Sequence, residues 1–368
     1  MQGLYIHTPF CKSRCSYCAF FSTTRLETAS QYIRCLCREM ELRGAADIST
    51  VYIGGGTPST LTAQQLHQLF SYINKVYRVG KNAEITLECN PDDVTPEFAN
   101  VITMLPVNRV SMGVQTFCDD RLRFLHRRHN ADQVSAAMDY LHNAGISNIS
   151  IDLIYGFPGQ TLQDWLSDVD HALQLGPQHL SAYALTFEEG TALHRLLEQG
   201  KIAEADEELS RSMYYSTIDR LVSHGYEHYE ISNFALPGFR SRHNSSYWDH
   251  TPYIGLGAAA HSYDGKRIRQ WNPACLDTYM DGIEAGKPVV EFEVLDDDSY
   301  YNDLLMNSLR TSKGLILDKL DDSHRKFCIS QAQPYFTSNL LQLQDCHLQL
   351  TRAGLFVSNM IIKDLMFV

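Results

Sequence analysis

Residues 1–21 read MQGLYIHTPFCKSRCSYCAFF, and the rest of the chain is organised around them. Cys11, Cys15 and Cys18 form C-x3-C-x2-C in one short loop, with Tyr17 directly before the last thiol. Three thiolates at this spacing can hold three corners of a four-iron cluster. With no fourth cysteine beside them, the remaining iron is open to an exchangeable ligand. The competing reading is a structural zinc, which wants a fourth Cys or His at suitable spacing, and only His7 lies nearby. The spacing favours the cluster.

Outward from that loop, apolar strands alternate with amphipathic helices. Leu4 to His7 predicts a strand, and residues 28 to 43 a helix with Tyr32, Leu36 and Met40 along one face. Val51 to Ile53 is a second strand running into Gly54-Gly55-Gly56-Thr57-Pro58. A capping box at Thr62 and Gln65 opens the next helix. Glu84–Glu88, Arg109–Gln115, Ile149–Tyr155 and His179–Leu185 are four further strands. Between and after them come helix starts at Thr95-Pro96, Asn130 and Thr161, and a helix from Glu207 to His224. Six strand-helix units imply a parallel sheet with helices outside, and six is short of the eight that close a full barrel. The expected fold is α/β, an open partial (β/α)6 barrel. The cysteine loop, the GGGT turn, Glu88, Gln115 and Asp152 all fall at or near the C-terminal ends of successive strands, the rim where such sheets bind ligands.

Residues 226–290 differ in texture. YEHYEISNFALPGFRSRHNSSYWDHTPYIGLGAAAHSY (226–263) crowds aromatics, histidines and glycines with little helical periodicity, and predicts short strands and loops covering the open side of the barrel. Residues 291–368 predict a small α/β domain of winged-helix type, with helices over 300–310 and 331–343 and alternating apolar residues from Leu348 to Val357. The expected division is therefore 1–225, 226–290 and 291–368. A formal net charge of −12 and the lack of a dense basic stripe argue against nucleic acid as a partner. The ten cysteines, apart from the cluster triad, are scattered among apolar neighbours as free thiols usually are, which points to a reducing cytoplasm. No apolar run reaches the roughly 18 residues a membrane span needs. Peripheral membrane association and a homodimer both stay compatible with the sequence.

YIHTPFCKSRCSYC, GGGTPS, ECNP, SMGVQTF, LHRRH, DLIYGFPGQT and EISNFA, in this order, resemble the radical S-adenosylmethionine (SAM) branch that contains oxygen-independent coproporphyrinogen III oxidase and its heme-chaperone relatives. The likeness covers roughly residues 3–264. Three features lean toward the chaperones. The oxidases carry a further cysteine two places after the third, where this chain has Phe20. They also carry a longer segment before the loop, where this chain has ten residues. Finally, His243-Asn244-Ser245-Ser246-Tyr247-Trp248 matches the chaperone HNxxYW motif.

The resemblance implies a [4Fe-4S] cluster on Cys11, Cys15 and Cys18, with SAM on the open iron. It implies SAM contacts from Gly55, Gly56 and Thr57, with the GGGT amides free to bond the methionine moiety. Further contacts would come from Glu88, Gln115, Arg127 and Asp152, with Tyr5 and Tyr17 flanking cluster and adenine. It implies heme as cargo, passed to an acceptor such as a respiratory protein. His243 is the candidate axial ligand, with Tyr247 and Trp248 flat against the porphyrin and His261 as a second candidate. The alternative reading is an oxidase decarboxylating porphyrinogen propionates.

Overall fold

A chain of buried strands alternating with one-faced helices buries both surfaces only as a parallel sheet wrapped on its outer side by the helices. The computed structural model, which describes residues 2–367, has this arrangement. Strands β1 (Gln2–Thr8), β2 (Asp47–Gly55), β3 (Arg78–Cys89), β4 (Arg109–Gln115), β5 (Ile149–Tyr155) and β6 (His179–Ala184) lie side by side in sequence order, all parallel. Helices Ala29–Arg43, Ala63–Val76, Pro96–Thr103, Ala131–Asn143, Leu162–Leu175 and Glu207–Ser223 follow them in turn. Their starts are written locally: reciprocal capping boxes form at Thr62 with Gln65, Asn130 with Gln133 and Thr161 with Asp164. Leu4, Ile6, Val51, Ile53, Leu87, Met112 and Ile151 are all fully buried, because register places them on the one face that the helices cover.

The segment after residue 225 does not cover the open side of the barrel as its texture suggested. It lengthens the sheet at both edges. β7 (Glu227–Glu230) and β8 (Asn233–Ala235) add antiparallel beyond β6. β9 (Tyr253–Leu256) adds parallel to β1, and β10 (His261–Tyr263), β11 (Ile268–Trp271) and β12 (Glu291–Val294) continue antiparallel from it. The result is one open sheet of twelve strands, β12-β11-β10-β9-β1-β2-β3-β4-β5-β6-β8-β7. Within the same segment Arg242–Trp248, the HNSSYW stretch, is a short helix, with Ser241 capping it through Asn244 N–H. Its seven residues are too few to show periodicity in the sequence.

A second apolar cluster, including Tyr301, Leu304, Leu305, Cys328 and Ile361, forms around helices Asp297–Ser308, Asp322–Thr337 and Ser358–Leu365. A small sheet β13-β15-β14 (Leu315–Ile316, His347–Leu350, Leu341–Gln344) completes it. The middle helix starts about nine residues before the expected 331, because Asp321 caps it by accepting from Ser323 and His324 N–H. Residues near 341 are strand instead of helix, and Leu355 and Val357 sit at helix ends instead of continuing a strand alternation.

Helix Ala29–Arg43 is keyed to the added strands by one buried carboxylate. Glu39, with no exposed surface, accepts from Gly257 N–H (2.9 Å), Tyr279 OH (2.8 Å), Asn272 Nδ2 (2.8 Å) and Arg43 Nη2 (3.3 Å). Removing it leaves Gly257 N–H and Tyr279 OH without an acceptor, while Asn272 Nδ2 keeps Gly257 O and Arg43 Nη2 keeps Asn272 Oδ1. Glu39→Ala is expected to cost about 3–5 kcal/mol, the scale of a broken buried ion pair, and Glu39→Gln markedly less. Chemical denaturation of the two variants checks the order; equal stability of Glu39→Ala and wild type would refute it.

Candidate functional site

The cysteine loop leaves the C-terminal end of β1 and is clamped from several directions. Cys11 N–H donates to Thr23 O (2.9 Å) and Thr23 N–H to Pro9 O (2.7 Å). Ser16 N–H and Oγ bond Leu125 O and Phe124 O (3.0 and 3.1 Å). Lys12 pairs with buried Asp93 at 2.6 Å, and Asp93 also holds Ser59 Oγ and Arg128 Nη2 at 3.0 Å. Lys12 and Arg128 lie within the YIHTPFCKSRCSYC and LHRRH motifs, but nothing in the sequence pointed to Asp93 as their shared partner.

The GGGT turn at the end of β2 is the loop's main support. A Cβ on Gly55 would lie 2.4 Å from the His7 ring, and one on Gly56 would lie 2.6 Å from the Pro9 carbonyl carbon. Gly55 also has φ +109°, a backbone conformation other residues rarely adopt. The amides here are already engaged: Gly55 N–H donates to Glu88 Oε2 (3.0 Å), Gly56 N–H to Thr8 O (2.9 Å) and Thr57 N–H to Phe10 O (2.8 Å). The expectation that they are free for a ligand is corrected; the glycines are there so that two backbones can touch. The Thr57 hydroxyl lies 3.5 Å from Cys11 Sγ.

Cys11, Cys15 and Cys18 ring a cavity of about 180 Å³, into which Tyr17, Gly55, Gly56, Thr57, Glu88, Gln115, Arg127 and Asp152 also project. Sequence and structure therefore bring together all but one of the expected cluster-side residues. Burial pushes the Cys11 and Cys18 thiols up. Arg127 is threaded behind Cys15, donating to its Sγ at 3.5 Å and bonding Asn90 Oδ1 and Gly113 O through Nη2, while its buried Nε has no partner. Gln115 ends β4 with φ +71° at a break in the β4–β5 register, which turns its side chain to the rim. Glu88 receives Tyr52 OH at 2.7 Å as well as the Gly55 amide. Burial, reinforced by the charge of Asp152, outweighs those hydrogen bonds and pushes it up to about 7. Burial also raises Asp152.

The exception is Tyr5. It faces the other way, stacked against Tyr52 and His243 (6.2 and 6.4 Å between ring centres), with its hydroxyl 2.9 Å from His7 Nδ1. It lines a separate cavity of about 780 Å³ together with Phe20, Phe21, Tyr247, Trp248, His250, Tyr253, His261, Tyr263 and Trp271. His243 does not reach this cavity. Its ring has no exposed surface, with Nδ1 2.9 Å from Thr50 Oγ1 and Nε2 2.9 Å from Tyr247 OH. Both nitrogens of the residue expected as axial ligand are engaged, and the ring pegs its helix to β2 in this structure. Burial holds its pKa down at about 3. The motif forms a wall: His243 pins it to β2, Tyr247 and Trp248 face the aromatic cavity, and Asn244 faces a third cavity of about 520 Å³ inside the barrel.

Residues 5–172 match the model of the radical SAM superfamily. The chain is 34% identical to the heme chaperone HemW of Lactococcus lactis, over 98% of this chain and 96% of that protein. It is 35% identical to HemW of Bacillus subtilis, over 86% and 85%. The chain belongs to the HemW family. Among solved structures, coproporphyrinogen III oxidase from Escherichia coli superimposes with a TM-score of 0.86 over 99% of this chain and 89% of that one, at 22% identity. At that identity the match establishes a shared fold.

A radical SAM domain implies a [4Fe-4S] cluster and SAM, and the donor set of this HemW relative fits them. Among the described residues no three His, Cys, Asp or Glu side chains gather tightly enough for a single metal ion. The cysteines instead surround a volume, as thiolates at separate corners of a polynuclear cluster must, and a lone zinc would need them drawn to a point. The cradle depends on close backbone approach. Gly55→Ala is expected to collapse it, whereas Gly159→Ala, also at positive φ (+72°) but with open space around it, should cost only about 1–2 kcal/mol. Iron content after anaerobic reconstitution separates the two: strongly reduced in the first, near wild type in the second. Equal iron loading would refute the role given to Gly55.

Proposed function

We propose that the protein binds heme and transfers it to an acceptor protein of the respiratory kind, working in the cytoplasm beside a SAM-bound [4Fe-4S] cluster. The relatives named heme chaperones support this reading. The observation that carries it here is the 780 Å³ cavity next to the cysteine loop, walled by flat aromatic rings and three histidines, His7, His250 and His261. Among the described residues no helix is long and apolar enough to cross a membrane.

His261 is the ligand we assign. It is exposed at the mouth of β10, stacked on Trp271 at 5.6 Å and 25°, and its ring makes no hydrogen bond among the described residues. Burial of part of the ring, and the nearby charge of Arg269, lower its pKa, so the neutral imidazole that iron requires is present at neutral pH. His250 is the weaker partner: it is pushed down to about 4 by burial, and its Nε2 already meets Asn307 at 3.4 Å.

On the cluster side, Cys11, Cys15 and Cys18 hold the cluster, and Tyr17, Gly55, Gly56, Thr57, Glu88, Gln115, Arg127 and Asp152 form the SAM cleft. When bound, cluster and SAM supply one-electron reductive chemistry at the sulfonium. The protein residues orient SAM and keep water out. Arg127 contributes a buried positive charge suited to a carboxylate. Glu88, as carboxylate, accepts from SAM's donor groups.

Two outcomes follow. His261→Ala should lower heme affinity at least tenfold and shift the Soret band. His243→Ala should keep heme binding but lower the melting temperature, because Thr50 and Tyr247 lose their partner. The reverse pattern, with a folded His243→Ala that no longer binds heme, would overturn the assignment. SAM affinity should also rise with pH through about 7 as Glu88 loses its proton, since the carboxylate is the stronger acceptor and no longer presents an O–H donor. Titration calorimetry from pH 6 to 8 should show this slope in wild type and a flat profile in Glu88→Gln.

A further inference from the structure

β4 reads Arg-Val-Ser-Met-Gly-Val-Gln, and its first residue is out of character for a strand buried on both faces. Arg109 is 1% exposed and among the largest fully buried side chains of the protein. It lines the 520 Å³ barrel cavity together with Tyr17, Ser111, Ser181, Tyr183 and Asn244. Its Nε and Nη1 are buried with no hydrogen-bond partner, and it forms no ion pair among the described residues. A guanidinium keeps its charge at any physiological pH, and a buried charge left unpaired is among the costliest features a fold can carry.

Nothing nearby discharges it. The Ser111 hydroxyl is directed to Asp152 Oδ2 at 3.4 Å and that of Ser181 to Asn233 Oδ1 at 3.1 Å. Arg109 acts on Glu88 and Asp152 only through space, lowering both, while burial still holds both above the usual carboxylate range. Neither carboxylate makes a hydrogen bond or an ion pair with the guanidinium among the described residues. The cavity above Arg109 continues to Tyr17, Cys18 and Phe20, at the mouth of the cluster site.

We propose that the barrel cavity is a carboxylate-binding subsite, in which Arg109, with the Asn244 side chain beside it, takes the carboxylate of an organic acid whose body extends toward the cluster loop. Arg109 and Asn244 line this cavity and Arg127 does not; the smaller cavity among the cysteines, which Arg127 lines, adjoins it across the shared residues Tyr17, Glu88, Gln115 and Asp152. Two sources carry this chemistry: a propionate side chain of a porphyrin, which rests on the heme-chaperone reading, and a free aliphatic acid, which does not.

The test uses the full chain with its cluster reconstituted anaerobically and SAM at saturation. Heme is compared with heme dimethyl ester by Soret titration, and hexanoate with hexanamide by calorimetry. The wild type is expected to prefer the free acid at least tenfold in one pair, and the pair that shows it names the source. Arg109→Gln should erase that preference while leaving the neutral probe within twofold, and Arg109→Lys should restore part of it. Iron content and melting temperature establish that each variant is folded. The wild-type comparison needs no variant at all: equal affinity for acid and neutral probe in both pairs overturns the proposal. So does an unchanged preference in folded Arg109→Gln. If neither heme nor its ester binds, the heme-chaperone reading fails, and the hexanoate pair alone still decides the subsite.

Discussion

Gly56 has room for a hydrogen atom and nothing more. A Cβ there would stand 2.6 to 2.8 Å from the backbone of Pro9 and Phe10, the residues that lead into Cys11. Around that contact the Thr57 and Gly56 amides bond the loop's own carbonyls, and the Gly55 amide ties the turn to Glu88 on the next strand. Three features of the site are thus fixed by one close approach of two backbones. A loop of three cysteines has little reason of its own to hold an open cradle, since short irregular segments are ordered by what they touch. Here the parallel pairing of β1 and β2 runs to Thr8 and Gly55, and so delivers the loop and the turn to the rim at the same height.

How much of this was legible in the sequence depended on whether the signal was local. The helix starts at Thr62, Asn130 and Thr161 are short-range hydrogen-bond reciprocities, and they stand where the residues say. Strand ends near Glu88 and Gln115 could be placed because apolar runs stop there, whereas Asp152 lies within β5. What did not show was partnership across long stretches of chain. Asn90 and Gly113 hold Arg127, and Glu39 reaches Gly257, Asn272 and Tyr279 more than two hundred residues away. The destination of β9 was equally hidden. Tyr253–Leu256 pairs parallel with β1 at the opposite edge from β8, although fewer than twenty residues separate the two strands in sequence.

His243 shows how one motif residue supports both a ligand reading and a core reading. A histidine among aromatics suits heme chemistry and core chemistry equally well, and only burial and hydrogen bonding separate them. With Thr50 on one nitrogen and Tyr247 on the other, the imidazole serves to fix the helix Arg242–Trp248. Glu84 does the same from the other side, accepting from Arg242 and His243 N–H at 3.0 and 2.9 Å. The helix held this way presents different residues to different cavities. The motif's importance can therefore lie in its position as a partition, with its polar and aromatic side chains divided between two compartments.

Phe20 marks where those compartments meet the cluster. It borders the cavity of the cysteines, the barrel cavity and the aromatic cavity alike, and its side chain is 70% exposed. One exposed phenylalanine is ordinary on a protein surface; one that borders three cavities is a shared wall. The place it holds is where the oxidases resembled by this chain carry a further cysteine. A thiol there would add a small polar group beside the cluster, whereas a phenyl ring adds bulk and apolar surface between the cluster and both larger cavities. The substitution thus changes two things together, the donor set near the iron and the separation between the iron and whatever fills the aromatic pocket.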